Sequence, residues 1–255
     1  MKVVSWNVNG IRACLGKGLT DFAKDSGADF LCLQESKASP DQVPLHGHGY
    51  LHGLQAAWSS AEKKGYSGTV LFTPRRDVEL ISLMGSPKYD REGRATLAYG
   101  KNFTLVNLYF PNGAASDERH HFKMGFLADL IPWLKELEKR NPLIICGDYN
   151  IAHEEIDIHD PVRNRDSSGF RPEERAWMTD FLTSGFVDTF RHLHPSARDQ
   201  YSWWSFRQAS RARNKGWRID YICVSESLKG KIRAAGIHPE VLGSDHCPVS
   251  VDLAL

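Results

Sequence analysis

Leu143-Ile144-Ile145-Cys146-Gly147-Asp148-Tyr149-Asn150 opens as an apolar run and closes on an acid and an amide. A short apolar run bounded by turn-forming residues reads as a buried β-strand. Asp148 then stands at a strand tip beside an apolar core. A carboxylate there is costly unless a cation, a hydrogen-bond donor or a metal pairs with it. Four more segments end the same way: Val3-Val4-Ser5-Trp6-Asn7, Phe30-Leu31-Cys32-Leu33-Gln34-Glu35, Trp217-Arg218-Ile219-Asp220 and Gly243-Ser244-Asp245-His246. Brought to one rim, these side chains make an oxygen-rich cleft suited to a divalent metal and a phosphate. The chemistry such a cleft implies is phosphodiester cleavage.

Outward from these segments, strand-like runs recur at 2–6, 29–34, 68–73, 78–83, 95–99, 103–109, 142–147, 201–205, 217–224 and 248–254. Helical stretches are fewer. Residues 116–138 carry Phe122, Phe126, Leu130, Leu134 and Leu137 at helical spacing, with Ser116 as N-cap. Pro132 inside that stretch predicts a kink or break. A second helix runs over 172–184, from Pro172 to the stop at Gly185, and a shorter one over 19–26. Many strands and few helices predict an α+β sandwich, two packed sheets covered by helices. No linker, repeat or shift in composition divides the 255 residues, so 1–255 reads as a single domain.

The net charge of +1 does not announce a nucleic-acid partner. The distribution says more: Arg207, Arg211, Arg213, Lys215 and Arg218 follow one another without an acid, and Arg163 and Arg165 form a smaller cluster. Such patches can hold phosphates, although a solvated basic loop is the commoner outcome for any one run. The five cysteines form no CxxC pair and read as reduced, structural residues. No apolar stretch approaches a membrane span and no leader pattern opens the chain, which predicts a cytoplasmic, bacterial-type protein that is a monomer.

Asp220 sits mid-run, where a lone acid is expensive, and His246 is its natural partner, because an ionised Asp fixes the tautomer and stabilises an imidazolium. A pairing of Asp220 with Arg218 is the alternative. Glu35 ends a run and is a candidate magnesium ligand. Asp148 and Asn150, two apart, share a face if the strand continues; there an acid could deprotonate water and an amide could hold it. Tyr109 offers a phenol at another strand end. Trp203, Trp204 and Phe206 precede the basic run, where aromatics can stack on unpaired bases or deoxyribose. Alternation turns Trp203 and Trp204 to opposite faces.

Taken together, these segments resemble the exonuclease III family of class II apurinic/apyrimidinic (AP) endonucleases, in the DNase I-like endonuclease/exonuclease/phosphatase superfamily. The resemblance runs almost end to end. It adds Asn9-Gly10-Ile11-Arg12, Lys64-Gly65-Tyr66-Ser67-Gly68, Tyr109-Phe110-Pro111-Asn112 and Gly216-Trp217-Arg218-Ile219-Asp220-Tyr221 to the segments above. It implies a DNase I-like four-layer sandwich. It also implies Mg²⁺-dependent hydrolysis (with Mn²⁺ as a substitute) 5′ to an abasic site in double-stranded DNA, and clearing of blocked 3′ ends. In that likeness Glu35, Asn7, Asn9, Asp148, Asn150 and Asp245 are the metal residues. Asp148, His246, Asp220, Tyr109 and Asn150 are the catalytic ones. Asn112, Asn164, Ser167, Trp204, Arg207 and Trp217 contact DNA, with Trp204 walling the pocket for an extruded abasic sugar.

Four departures from the pattern stand out. Asn9 and Ser167 stand where some relatives have Asp and Asn, Trp203 replaces a frequent Phe, and Ala115 replaces an Arg of some animal relatives. A smaller residue at 167 is expected to widen the pocket and shift the balance between AP cleavage and 3′-end trimming. With Trp203 it decides for or against the rival expectation, a 3′-end-processing exonuclease with weak AP cleavage. A lipid or inositol phosphatase, or a non-catalytic DNase I-like binding module, fits less well beside Trp204, the basic run and the full set of acids.

Overall fold

The computed structural model describes residues 1–255. Twelve strands form two six-stranded sheets. The first sheet contains β1 (Lys2–Asn7), β2 (Phe30–Gln34), β3 (Gln55–Ser59), β4 (Thr69–Thr73), β11 (Ile232–Ile237) and β12 (Val249–Leu253), in the order β11-β12-β1-β2-β4-β3. The second contains β5 (Glu79–Ile81), β6 (Ala95–Tyr99), β7 (Thr104–Tyr109), β8 (Leu143–Asp148), β9 (Phe186–Asp188) and β10 (Asp220–Ser225), in the order β5-β6-β7-β8-β10-β9. Each sheet has one parallel pair at its centre, β1 with β2 and β7 with β8, flanked by antiparallel strands.

The continuous apolar runs follow from burial on both faces. Val3, Cys32, Ile144, Cys146, Ile222 and Val251 pack between the sheets. Val4, Leu31 and Leu33 face outward onto the helix Leu19–Asp25 and its neighbours. On the other side Leu143, Ile145 and Cys223 meet Phe126, Leu130 and Leu134 of the helix Asp117–Glu138 and Phe181 of the helix Pro172–Thr183. The result is the four-layer α/β-sandwich of the DNase I-like fold.

Several expected elements differ. Residues 201–205 form no strand; Trp203 makes only isolated bridges to Trp217 and His246. β10 starts at Asp220, so this acid heads the strand instead of lying within it. β8 likewise stops at Asp148, and Asn150 follows in a left-handed turn (φ 52°). The helix Asp117–Glu138 passes Pro132 without breaking. Ala128 and Pro132 are both exposed, so the carbonyl that Pro132 leaves unpaired faces water. β3, β9 and β11 were not foreseen; they are short, small-residue or edge strands with a weak apolar signal.

This topology positions the rim. Parallel neighbours end on the same edge, and the register sets Asn7 beside Gln34 and Tyr109 beside Asp148. The antiparallel β10 enters at that edge, which brings Asp220 opposite Asp148. His246 arrives on the loop that leads into β12.

Candidate active site

Gly147 lets β8 reach the rim. Its φ is 148°, and a Cβ there would lie 1.8 Å from the Leu108 carbonyl oxygen, so only glycine fits against β7. Glu35 and Asn9 also occupy left-handed backbone, at φ 50° and 45°. Such conformations cost energy and persist where the surroundings over-determine them.

The centre is built from Glu35, Asp148 and His246, whose ligand-type atoms all lie within 4.8 Å of one another. Asn7 ties the carboxylates together, donating from Nδ2 to Glu35 Oε1 (2.9 Å) and Asp148 Oδ2 (2.8 Å). Its Oδ1 accepts the Asn9 backbone N–H, so Asn7 bridges the acids with its nitrogen. Tyr109 Oη donates to Glu35 Oε1 at 3.0 Å. His246 Nδ1 pairs with Asp220 Oδ2 at 2.8 Å, which leaves Nε2 facing Asp148 Oδ2 at 3.9 Å. Asn150 donates to the Phe110 carbonyl and accepts from Asn112 Nδ2 at 3.2 Å. Asp245 holds Asn9 Nδ2 at 2.8 Å and Trp203 Nε1 at 3.1 Å.

Electrostatics separate the groups. Burial would raise Glu35, but the Lys37 ammonium 2.8 Å away and the Asn7 hydrogen bond outweigh it and hold the carboxyl below its usual range. Burial pushes Asp148 up to about 7, opposed by His246 and reinforced by the charges of Asp220 and Glu35. Burial lowers His246, yet Asp220 and Asp148 prevail and raise it to about 10, so it is an imidazolium at neutral pH. Burial and the charge of Glu35 hold the Tyr109 phenol protonated.

The centre opens into a cleft of about 560 Å³. Trp203, Trp217 and Ile219 give it apolar walls; Glu35, Asn112, Asn150, Ser167, Asp245 and His246 supply polar groups. Trp204 is not a wall. It is 2 % exposed, with Nε1 on Asn214 and the Arg211 guanidinium 4.6 Å from its ring, and the wall is its neighbour Trp203. Asn164 also stays outside the cleft, its amide donated to the carbonyls of His159 and Asp160. Arg207 is exposed on the 205–215 loop.

Two of the five residues of the basic run are consumed by the fold, while Arg207, Arg213 and Lys215 stay exposed. Arg211 grips the carbonyls of Ser244, Pro239 and Val241, and Arg218 is buried between Asp157 and Asp188. Asp220 therefore pairs with His246 and not with Arg218. Lys37 and Arg171 had not been singled out. Lys37 stands two positions after Glu35, and that spacing beside a ligand candidate was the available signal.

The Endonuclease/Exonuclease/phosphatase family model matches residues 4–246, and the chain belongs to this family, whose members include metal-dependent nucleases. It is 44 % identical to an exodeoxyribonuclease of Bacillus subtilis over 98 % of each chain. It is 38 % identical to a DNA-(apurinic or apyrimidinic site) endonuclease of Dictyostelium discoideum, over 98 % of this chain and 70 % of that one. The solved 3′-5′ exonuclease of Neisseria meningitidis superposes with a TM-score of 0.90 at 27 % identity, covering 100 % of both chains. The chain is accordingly an enzyme of the nuclease and phosphodiesterase type.

Proposed function

We propose that this chain is a Mg²⁺-dependent AP endonuclease that cuts double-stranded DNA on the 5′ side of an abasic site and also trims blocked 3′ ends. The observation that carries this reading is the Glu35–Asp148–His246 group opening into a cleft walled by Trp203 and Trp217. The hard carboxylate oxygens of Glu35 and Asp148 suit Mg²⁺, which takes few protein ligands and keeps several waters. When bound, the ion supplies positive charge against the phosphorus and the departing 3′ oxygen.

The residues then divide the work. Asp148, held by Asn7 and facing His246 Nε2, takes the proton of the attacking water. Asn150, fixed by Phe110 and Asn112, orients that water. The His246 imidazolium, held by Asp220, donates from Nε2 to a non-bridging phosphate oxygen. Tyr109 positions Glu35 and offers a neutral phenol beside the phosphate. The tryptophan walls accept an extruded sugar that has no base, and an abasic nucleotide costs less to extrude than an intact one.

The test uses two labelled duplexes with Mg²⁺ and EDTA controls, one with an internal abasic analogue and one with a 3′-phosphate end. Rapid metal-dependent incision 5′ to the analogue is the expected result. Release of the 3′ phosphate with little internal incision overturns it in favour of a 3′-end-processing enzyme, the reading that small Ser167 and Ser168 in the cleft would then explain.

A further inference from the structure

The cleft contains one cation that the chemistry above leaves unused. Arg171 lines it beside Ser167 and Ser168. The two acids that follow Arg171 in the chain are occupied. Glu173 holds His120 Nε2 at 3.1 Å, and Glu174 holds Lys123 Nζ at 2.6 Å and the backbone N–H groups of Gly169 and Arg171. The buried Nε of Arg171 has no hydrogen-bond partner. The guanidinium beside the cleft has no carboxylate partner, so its charge is available to an anion that enters there. Its planar fork matches the oxygens of a phosphate. Ala114, which also lines the cleft, supplies no charge.

A sugar extruded from a continuous strand carries a phosphate on each side. The phosphate on its 5′ side is the one served by His246, Asn150 and Asn112. We infer that Arg171 is a specificity-determining residue that binds the second phosphate, on the 3′ side of the extruded abasic sugar. This inference rests on the internal-incision reading above. A duplex that ends in a 3′ phosphate has no such second group, so Arg171 tilts the enzyme toward internal sites over ends.

Anisotropy titrations in EDTA test this with three labelled duplexes: an internal abasic analogue, the same duplex with a neutral methylphosphonate at the 3′-side phosphate, and a 3′-phosphate end. The unsubstituted protein should bind the first about tenfold more tightly than the second. Arg171→Gln should bind these two alike, with a salt slope smaller by about 0.9, and Arg171→Lys should recover part of the preference. The 3′-phosphate end should lose less affinity than the internal site in Arg171→Gln. Equal binding of the first two duplexes by the unsubstituted protein overturns the inference, whatever the variants' folding. So does a retained tenfold preference in Arg171→Gln. Absence of internal incision when Mg²⁺ is added, with 3′-phosphate release intact, overturns the underlying reading separately, and the anisotropy comparison still judges Arg171.

Discussion

Two buried ionic clusters flank the head of β10, and they are wired in opposite ways. In one, Arg218 pairs with Asp157 (2.7 Å) and Asp188 (2.8 Å), and Arg191 pairs with Asp157 (2.5 Å). Two acids meet two guanidiniums, and although burial alone would raise Asp157, the charges of Arg218 and then Arg191 bring its carboxyl down to about 2. In the other, Glu35, Asp148 and Asp220 crowd around His246 and Lys37, and Asp148 rises to about 7. The first cluster closes on itself and holds the loop before β10. The second sets three acids against His246 and Lys37 alone, so burial and the neighbouring carboxylates keep Asp148 raised, and a bound cation would relieve that strain. Buried charge marks a functional site when it is left under-compensated; fully paired, it is framework.

The comparison can be broken at either end. Asp148→Asn should lower the single-turnover incision rate by about 10³- to 10⁴-fold while leaving the melting temperature unchanged or raised. An active but unstable variant would reverse the two roles. Arg218→Met should do the opposite, costing about 3–5 kcal/mol in urea unfolding because Asp188 is left as a buried unpaired charge and Asp157 keeps only Arg191. A loss under about 1 kcal/mol would show that water repairs the cluster.

Acid titration sharpens the contrast. The folded-state value of Asp157 is depressed from 3.8 to about 2. Its contribution, roughly 2 kcal/mol, is therefore complete above pH 4 or so and lost as pH falls through about 2. Circular-dichroism melts across that window should show the fall, and Asp157→Asn should flatten it. The smallest effect belongs to the surface: Arg207→Ala should weaken DNA binding a few-fold and reduce the salt slope by about 0.9. An unchanged slope would remove Arg207 from the interface.

The sequence was most readable where both faces of a strand are buried. β1, β2, β8 and β10 are unbroken apolar runs, and their ends carry the polar residues that the topology gathers on one rim. β3 (Gln55-Ala56-Ala57-Trp58-Ser59) and β9 (Phe186-Val187-Asp188) are too weakly apolar or too short to signal themselves, and pairing partners alone define them. The aromatic run at 201–205 gave the reverse error. Trp203 and Trp204 look strand-like, but the segment folds over the rim and bridges Trp217 and His246 singly. Alternation did turn the two tryptophans apart; which one faces the cleft depends on the Arg211 and Asn214 contacts that claim Trp204, and these are tertiary. The basic run misled for a related reason. A cluster of arginines does not show that Asp157 and Asp188, far along the chain, will claim Arg218.

The order in which strands are made differs from the order in which they pair. β1, synthesised long before β12, takes it as one of its two neighbours, with Lys2 facing Asp252 and Val3 facing Val251. The centre joins Asn7 through Asp148 to His246, so its parts leave the ribosome at widely separated times. A nascent chain halted at any codon before Asp245 has neither the imidazole nor the strand that closes the first sheet. Truncated products of such a message would carry no cutting activity, so the nuclease is withheld until the ribosome has passed His246 and β12.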